Sequence, residues 1–433
     1  MMRHTVSALR WRDLAAAMLG SRPLGAVPAD AAPRPGEGPA AHALRHALAH
    51  ALGRPAEALW LTGAGRSALH AFVRATRLHP QDEALLPGYT CVVVPNVFLH
   101  LGVAVRYVDV APGRVNPALA DWVAAVTPRT RWLVLPHNFG VPSEAVAAEL
   151  RARFPRLLIV EDAAHAWGSC HAQGAPVGTL GHAAFFSFEY SKCLTTGLGG
   201  ALLVNEAALR PAVGQALAGG GHPLPAKAQA KVLLTLAYHL TQATWPGALA
   251  AGLTAVLRAP SRALGLVAAT RPAELSGQAQ PDYQQALPES LARLALPQLA
   301  RMADVLALRR RQAQHWAQAV AGSPWLTLLA DVGPEAPPGA ALLRLPLAVA
   351  RPEQRPALPA GLRALGVEPG VWFDDVVHPA GSYRHGYTEG DCPHGERLAR
   401  TIVNLPLGLH ARLSPRQWQG LRRLAQQPPE ITG

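Results

Sequence analysis

The apolar run Leu158-Ile159-Val160 ends in two acids, Glu161 and Asp162, followed by Ala163-Ala164-His165. It reads as a strand whose carboxyl end delivers carboxylates where open α/β sheets place their ligands. A carboxylate there can hold a cationic ring nitrogen. It can equally cap the next helix. A second segment, Phe185-Phe186-Ser187-Phe188-Glu189-Tyr190-Ser191-Lys192, runs into Thr195-Thr196-Gly197-Leu198-Gly199-Gly200. The chain holds only three lysines, Lys192, Lys227 and Lys231, and the first sits just past a strand, between hydroxyl residues and a glycine turn. An amine that bonds a carbonyl must be partly desolvated, which lowers its pKa, and a tight loop presents it. A third segment, Gly63-Ala64-Gly65-Arg66-Ser67, is a glycine turn opening a helix. Backbone amides at such a helix start form a phosphate site. Many glycine turns bind nothing, so the weight lies in the order: phosphate turn, acidic strand end, lysine.

Short apolar runs predict strands at 84–86, 104–108, 132–136, 157–160, 183–187 and 200–204. Between them helices are predicted at 66–77, 92–101, 117–125 and 143–153, after an earlier one at 42–52. Strands alternating with helices imply βαβ units and a mainly parallel sheet in an α/β fold. One long helix over roughly 290–320 should follow, then strands near 341–348 and 401–405 and a last helix at 415–425. The expected organisation is an N-terminal arm over 1–41, a large domain over 42–285 and a smaller α+β domain over 286–433.

The 207–285 region is atypical. Val232 to Leu257 contains no Asp, Glu, Lys or Arg. Such a stretch is long enough to span a bilayer, but His239, Gln242, Pro246 and two glycines interrupt it. A buried or subunit-facing helix pair is the favoured reading. The alternative is a hairpin on a membrane surface through 225–260, flanked by Lys227, Lys231 and Arg258.

With 433 residues, 49% hydrophobic and 16% charged, the chain can bury a sizeable core. Its formal charge of +12 comes from scattered arginines. No basic block interleaved with aromatics occurs, and Arg309-Arg310-Arg311 reads as a solvated helix face. A phosphorylated small molecule suits this field, and nucleic acid is not expected. Cys91, Cys170, Cys193 and Cys392 show neither CxxC nor metal-ligand spacing. Without a disulfide framework or a signal peptide, a cytoplasmic enzyme is expected, possible contact with a membrane surface being confined to 225–260.

The order and wording of these segments resemble the DegT-type sugar aminotransferases, a branch of the fold-type-I enzymes that use pyridoxal 5′-phosphate (PLP). The matching pieces are Pro87-Gly88-Tyr89-Thr90-Cys91, Val108-Asp109-Val110, Glu161-Asp162-Ala163-Ala164-His165, Ser187 with Ser191-Lys192, and Val403-Asn404-Leu405-Pro406-Leu407. The resemblance implies an aspartate-aminotransferase-like fold and a homodimer. It implies that Gly65, Arg66 and Ser67 bind the cofactor phosphate, that Ser187 donates to it, and that Tyr89 lies against the ring. Asp162 would pair with the pyridine nitrogen, His165 would sit beside the ring, and Lys192 would carry PLP as a Schiff base. Glutamate as amino donor and a nucleotide-linked keto-sugar as acceptor follow from the same resemblance, in surface-polysaccharide or secondary-metabolite synthesis. The chain departs from the pattern in three places. Leu198 stands where the family often has Glu, Gln284-Gln285-Ala286-Leu287 lacks an Arg, and 207–285 is longer and more apolar. A sugar dehydratase on the same scaffold, which Lys192 disfavours, and a regulatory or scaffold protein retaining the fold are the rival readings.

Overall fold

The computed structural model describes residues 8–20, 32–77, 79–143, 146–218, 222–245, 270–279, 281–333 and 336–428. Two helices come first, α1 (Trp11–Met18) and α2 (Pro39–Ala51). The strands β1 (Leu59–Thr62), β2 (Glu83–Pro87), β3 (Thr90–Cys91), β4 (Ala104–Val108), β5 (Thr130–Pro136), β6 (Leu158–Asp162), β7 (Ala183–Ser187) and β8 (Gly200–Val204) follow. Between them lie α3 (Gly65–Thr76), α4 (Val93–His100), α5 (Leu119–Ala125) and α6 (Val146–Arg153). Seven strands form one sheet in the order β1-β8-β7-β6-β5-β2-β4. From β4 to β7 all neighbours are parallel; β8 runs against both β7 and β1.

Helices on both faces explain why β5 and β6 read as continuous apolar runs. Trp132, Val134 and Val160 face one layer with Leu69, Phe72 and Phe98. Leu133, Leu135 and Ile159 face the other, with Trp122 and Leu150. The parallel strands therefore all end at one edge, where Asp162 and Ser187 are the last residues of β6 and β7.

The C-terminal part contributes a three-stranded antiparallel sheet in the order β12-β10-β9, from β9 (Leu326–Leu328), β10 (Leu345–Val349) and β12 (Ile402–Leu405). The helices Met302–Val320 and Pro415–Gln426 cover it, with Trp316, Trp325 and Leu421 buried between. One short strand, β11 (Val377–His378), instead pairs in parallel with β3, setting His378 opposite Cys91. This pairing ties the loop before β11 to the ligand edge of the large sheet.

The predicted parallel strands and the helices between them are present, with shifts of a few residues. Three expectations need correction. Residues 59–62, for which no strand is predicted, form β1, which Leu59 and Thr62 anchor by burial. Part of the expected arm is helical: α1 packs on the helix Glu289–Leu299, and Asp13 there holds Arg301 at 3.1 Å. The single helix over 290–320 is two helices, Glu289–Leu299 and Met302–Val320. Pro297 removes one N–H from the first, and Arg301 takes non-helical angles (φ −114°, ψ 11°) while bonding Asp13 and the carbonyls of Ala8 and Pro297.

Within 207–285 the structure shows α7 (Arg210–Ala218) and α8 (Ala226–Thr244). α8 places Leu236 and Leu240 in the main core beside Leu194, Leu287 and Leu291. The second half of the apolar run, 246–257, and Arg258 lie outside the described residues. Among the described residues no helix is long and apolar enough to cross a membrane.

Candidate active site

At the carboxyl edge of the sheet a cavity of about 590 Å³ opens between the start of α3, the ends of β5, β6 and β7, and the loop before β11. Six of the eight residues expected from sequence line it: Gly65, Arg66, Asp162, His165, Ser187 and Lys192. Ser67 and Tyr89 do not. Ser67 is buried within the first turn of α3. The Tyr89 hydroxyl donates to the Phe373 carbonyl at 3.0 Å and accepts from the Phe373 N–H at 2.9 Å, so it props the loop that walls the cavity. Two residues on from Tyr89, Cys91 faces the space instead.

The floor is electrostatically built. Asp162 Oδ1 accepts the Ala164 N–H at 3.0 Å. Burial pushes its carboxyl up to about 6, against that hydrogen bond and the attraction of Lys192. The carboxylate thus lacks a close cationic partner, and a protonated ring nitrogen would supply one. Burial also lowers Lys192, opposed by Glu189 and Cys91. His165 is driven well below its usual range by burial and by Lys192, so its ring is neutral. Its Nδ1 accepts the Phe139 N–H at 3.3 Å, which leaves the proton on Nε2.

Glu161, beside Asp162, points the other way and is fully buried. His137 Nε2 lies 3.0 Å from it, and it accepts the Gly178 and Leu180 amides at 2.8 Å and the Gly181 amide at 2.5 Å. Burial opposes its ionisation, but His137, His171 and the amides outweigh this and hold it well below the carboxylate range. The His137 N–H in turn donates to the Asp162 carbonyl at 3.2 Å. Glu161 therefore fixes the end of β6, and the cavity carboxylate with it.

At the other wall, α3 begins at Gly65. A Cβ there would lie 3.1 Å from the Phe186 carbonyl and 3.3 Å from Ser187 Cβ, so glycine lets the helix start press onto β7. Arg66 is paired with Glu274 at 2.9 Å. Helix-start amides and the Ser187 hydroxyl suit a phosphate, Asp162 a ring nitrogen, and Lys192 an aldehyde. The residues present fit PLP.

Sequence reasoning missed His137, Asn138, Glu189, Trp372 and Phe373, which also line the cavity. His137 and Asn138 directly follow β5 and so carried the same strand-end signal as Asp162. Trp372 and Phe373 are 180 and 181 residues beyond Lys192, and no local pattern marked them. The departing segment contributes Gln285, whose carbonyl accepts the Gly63 N–H at 2.7 Å. His378 also lines the cavity. Tyr383 is exposed, the His385 ring meets the Val103 carbonyl, and the His394 N–H donates to Asp109.

The DegT/DnrJ/EryC1/StrS aminotransferase family matches residues 35–232 and 262–419. The chain belongs to this family. The unmatched residues between the two segments, 233–261, include most of α8. A dTDP-4-dehydro-2,3,6-trideoxy-D-glucose 4-aminotransferase of Saccharopolyspora spinosa is 34% identical over 165 residues, which is 38% of this chain and 43% of that protein. A GDP-perosamine synthase of Caulobacter vibrioides is 34% identical over 142 residues, covering 33% of this chain and 38% of that one. The chain thus matches less than half the length of these curated relatives. In three dimensions the match extends over nearly the whole chain. The aminotransferase TlmJ from Streptoalloteichus hindustanus superposes with a TM-score of 0.71 at 22% identity, over 98% of this chain and 97% of that one. The fold is that of the fold-type-I sugar aminotransferases.

Proposed function

We propose that this chain is a PLP-dependent aminotransferase that moves an amino group from an amino-acid donor, glutamate, to a nucleotide-linked keto-sugar. One observation carries the reading: Lys192 and Asp162, from different strand ends, share one cavity that also opens onto the first turn of α3. The relatives' names point to the acceptor class, since both act on sugars attached to a nucleotide.

When bound, the cofactor supplies an aldehyde that takes up the amino group and a ring that accepts the electron pair released at the substrate carbon. The chain's own residues do the rest. Gly65 and Arg66 offer backbone amides, and Ser187 a hydroxyl, to the phosphate. Asp162 keeps a proton on the ring nitrogen. Lys192 would hold the cofactor aldehyde; its freed Nζ would take the proton from the donor's α-carbon and, in the second half-reaction, deliver one to the acceptor carbon, a role that needs the lowered pKa its burial provides. His165, neutral, donates from Nε2. Trp372 and Phe373 wall off water. Donor and acceptor use the same site in turn, so ping-pong kinetics are expected.

A homodimer is part of the same proposal. For α8 we favour packing within the protein over a membrane contact, since its Leu236 and Leu240 are spent on the core. The test is direct. Purified protein loaded with PLP should show the visible absorption of a lysine-bound cofactor, lose it on adding L-glutamate, and recover it with a keto-sugar nucleotide. Borohydride should fix the cofactor on Lys192. A chain that takes up no cofactor would support the regulatory reading instead.

A further inference from the structure

His378 reaches the cavity from β11 with its backbone and one ring nitrogen already committed. Its carbonyl accepts the Val92 N–H at 2.8 Å, within the pairing that sets it opposite Cys91. Its Nδ1 lies 2.6 Å from Asp374 Oδ1, which also accepts the Ala380 N–H at 2.9 Å. The Asp374 N–H approaches the same Nδ1 at 3.4 Å, too far to compete with the shorter bond. Burial opposes ionisation of Asp374, but His378 and the Ala380 amide outweigh this and lower its pKa. A carboxylate so close takes the proton side of Nδ1, and Nε2 is the nitrogen left over. Among the described residues nothing bonds Nε2, and it is not enclosed. The other histidines on the wall differ: His137 spends its nitrogens on Glu161 and the Ser143 N–H, and His165 Nδ1 takes the Phe139 N–H. Glu189 Oε1 is unpartnered too, but it is enclosed. The steps given above to Lys192, Asp162, His165 and Ser187 leave His378 unused.

The surroundings of the imidazole say what it meets. Phe373 and Trp372, which also line the cavity, flank it with ring centroids at 5.2 and 6.2 Å. The indole is backed in turn by Arg344, whose Cζ lies 3.4 Å from its centroid, so this part of the wall is fixed. A directed polar atom between aromatic faces suits a sugar, whose C–H faces pack on rings while its hydroxyls need partners. Beside the Asp374 carboxylate the imidazole pair carries no net positive charge in either protonation state, so an anion is a poor match. A hydroxyl fits both states, donating to the Nε2 lone pair or accepting from its N–H.

We infer that His378 Nε2 reads a ring hydroxyl of the keto-sugar acceptor, with Asp374 as the residue that positions it. An acceptor that keeps this hydroxyl is preferred over its deoxy counterpart, because the deoxy sugar leaves Nε2 covered and unpaired. Glutamate carries no hydroxyl, so the donor's half of the reaction does not depend on the pair. This inference rests on the aminotransferase reading above.

The experiment uses the PLP-loaded chain and a pair of probes, dTDP-4-dehydro-2,3,6-trideoxy-D-glucose and its counterpart that keeps the hydroxyls at carbons 2 and 3. Before any donor is added the keto-sugar binds without reacting, so calorimetry reads affinity alone. The wild-type chain should hold the hydroxylated probe about tenfold tighter, the worth of one hydrogen bond. Equal affinities, tighter binding of the trideoxy probe, or binding of neither would overturn the inference. In His378→Ala the preference should shrink to about twofold or less. L-glutamate should still remove the lysine-bound absorption of that variant within about threefold of the wild-type rate. His378→Gln, whose amide oxygen can accept, should keep part of the preference. Asp374→Asn, which can still accept from Nδ1, should retain most of it, and Asp374→Ala should lose it with the glutamate step unchanged. A glutamate step that falls as far as acceptor binding would mean a structural role and refute the site. A chain that takes up no PLP would refute the parent reading, and this inference with it.

Discussion

Lys192 Nζ stands 4.6 Å from the centroid of the Trp372 ring, although the two residues are 180 positions apart and belong to different sheets' surroundings. The ring acts on the amine in opposite ways. Its quadrupole favours the ammonium by about 0.5–2 kcal/mol, whereas its bulk excludes water and favours the neutral amine. Burial is the leading cause of the lowered Lys192 pKa, and the Trp372 ring, which lines the same cavity, is part of that cover.

Trp372→Leu should therefore raise the pKa of Lys192 in the cofactor-free protein. The measurement is the pH midpoint for acylation of Lys192 by an amine-directed reagent, followed by peptide mass spectrometry. An unchanged or lower midpoint would show that the cation–π attraction dominates.

Lys192→Ala should bind PLP without forming the borohydride-trapped adduct. Adduct on Lys227 or Lys231 would displace Lys192 from its role. Both of these lie on α8, and Lys231 also lines the cavity, so the mapping is informative.

Asp162→Asn separates stability from function. The folded carboxyl, at about 6, binds its proton more tightly than the unfolded one near 3.8. Between those values the folded state holds more protons, so its stability falls as pH rises through them and the penalty is complete above about 6. The Asn variant lacks this term. Without cofactor it should be more stable than wild type by about 1–3 kcal/mol at pH 7, and no more stable below pH ~4. With PLP it should transaminate orders of magnitude more slowly. Near-normal turnover would remove Asp162 from the mechanism.

Glu161→Gln tests the support beneath Asp162. It replaces a buried carboxylate that faces His137 and accepts three amides. One amide oxygen cannot serve all of them, and a loss of about 3–5 kcal/mol in denaturant titration is expected. A change under ~1 kcal/mol would mean that water replaces the network.

The parallel sheet was legible because each strand carries its own apolar signal and the glycine turns punctuate it. Lys192 and Asp162 were legible for the same reason, standing at or just past strand ends and being of a chemically suggestive type, whereas Ser187 was marked by the resemblance. Tyr89 was placed against the ring by resemblance alone, and its hydroxyl instead bonds both backbone groups of Phe373. Trp372 and Arg344 escaped because their proximity is made by tertiary packing, through the β3–β11 pairing and the Gly370–Asn404 bridge. Short-range periodicity contains no trace of such contacts. The helix break at Arg301 is a similar case, since the Asp13 that binds it lies 288 residues earlier.

The remaining prediction concerns α8, whose two sides face different surroundings. Leu236 is fully buried in the main core, while Leu234 is 54% exposed. If the helix serves mainly to complete the protein core, Leu236→Ala should cost about 2–5 kcal/mol, the range for deleting a buried leucine side chain. Leu234→Ala should then change stability by no more than ~0.5 kcal/mol. If the outer side rests on a membrane, the pattern of a second measurement differs. Flotation with anionic liposomes should weaken in Leu234→Ala, because an interfacial helix binds through its buried apolar area. Packing within the protein predicts no flotation of the wild type at all, together with the stability loss in Leu236→Ala. Flotation of the wild type that Leu234→Ala reduces would reverse our preference and bring the active site to a lipid surface.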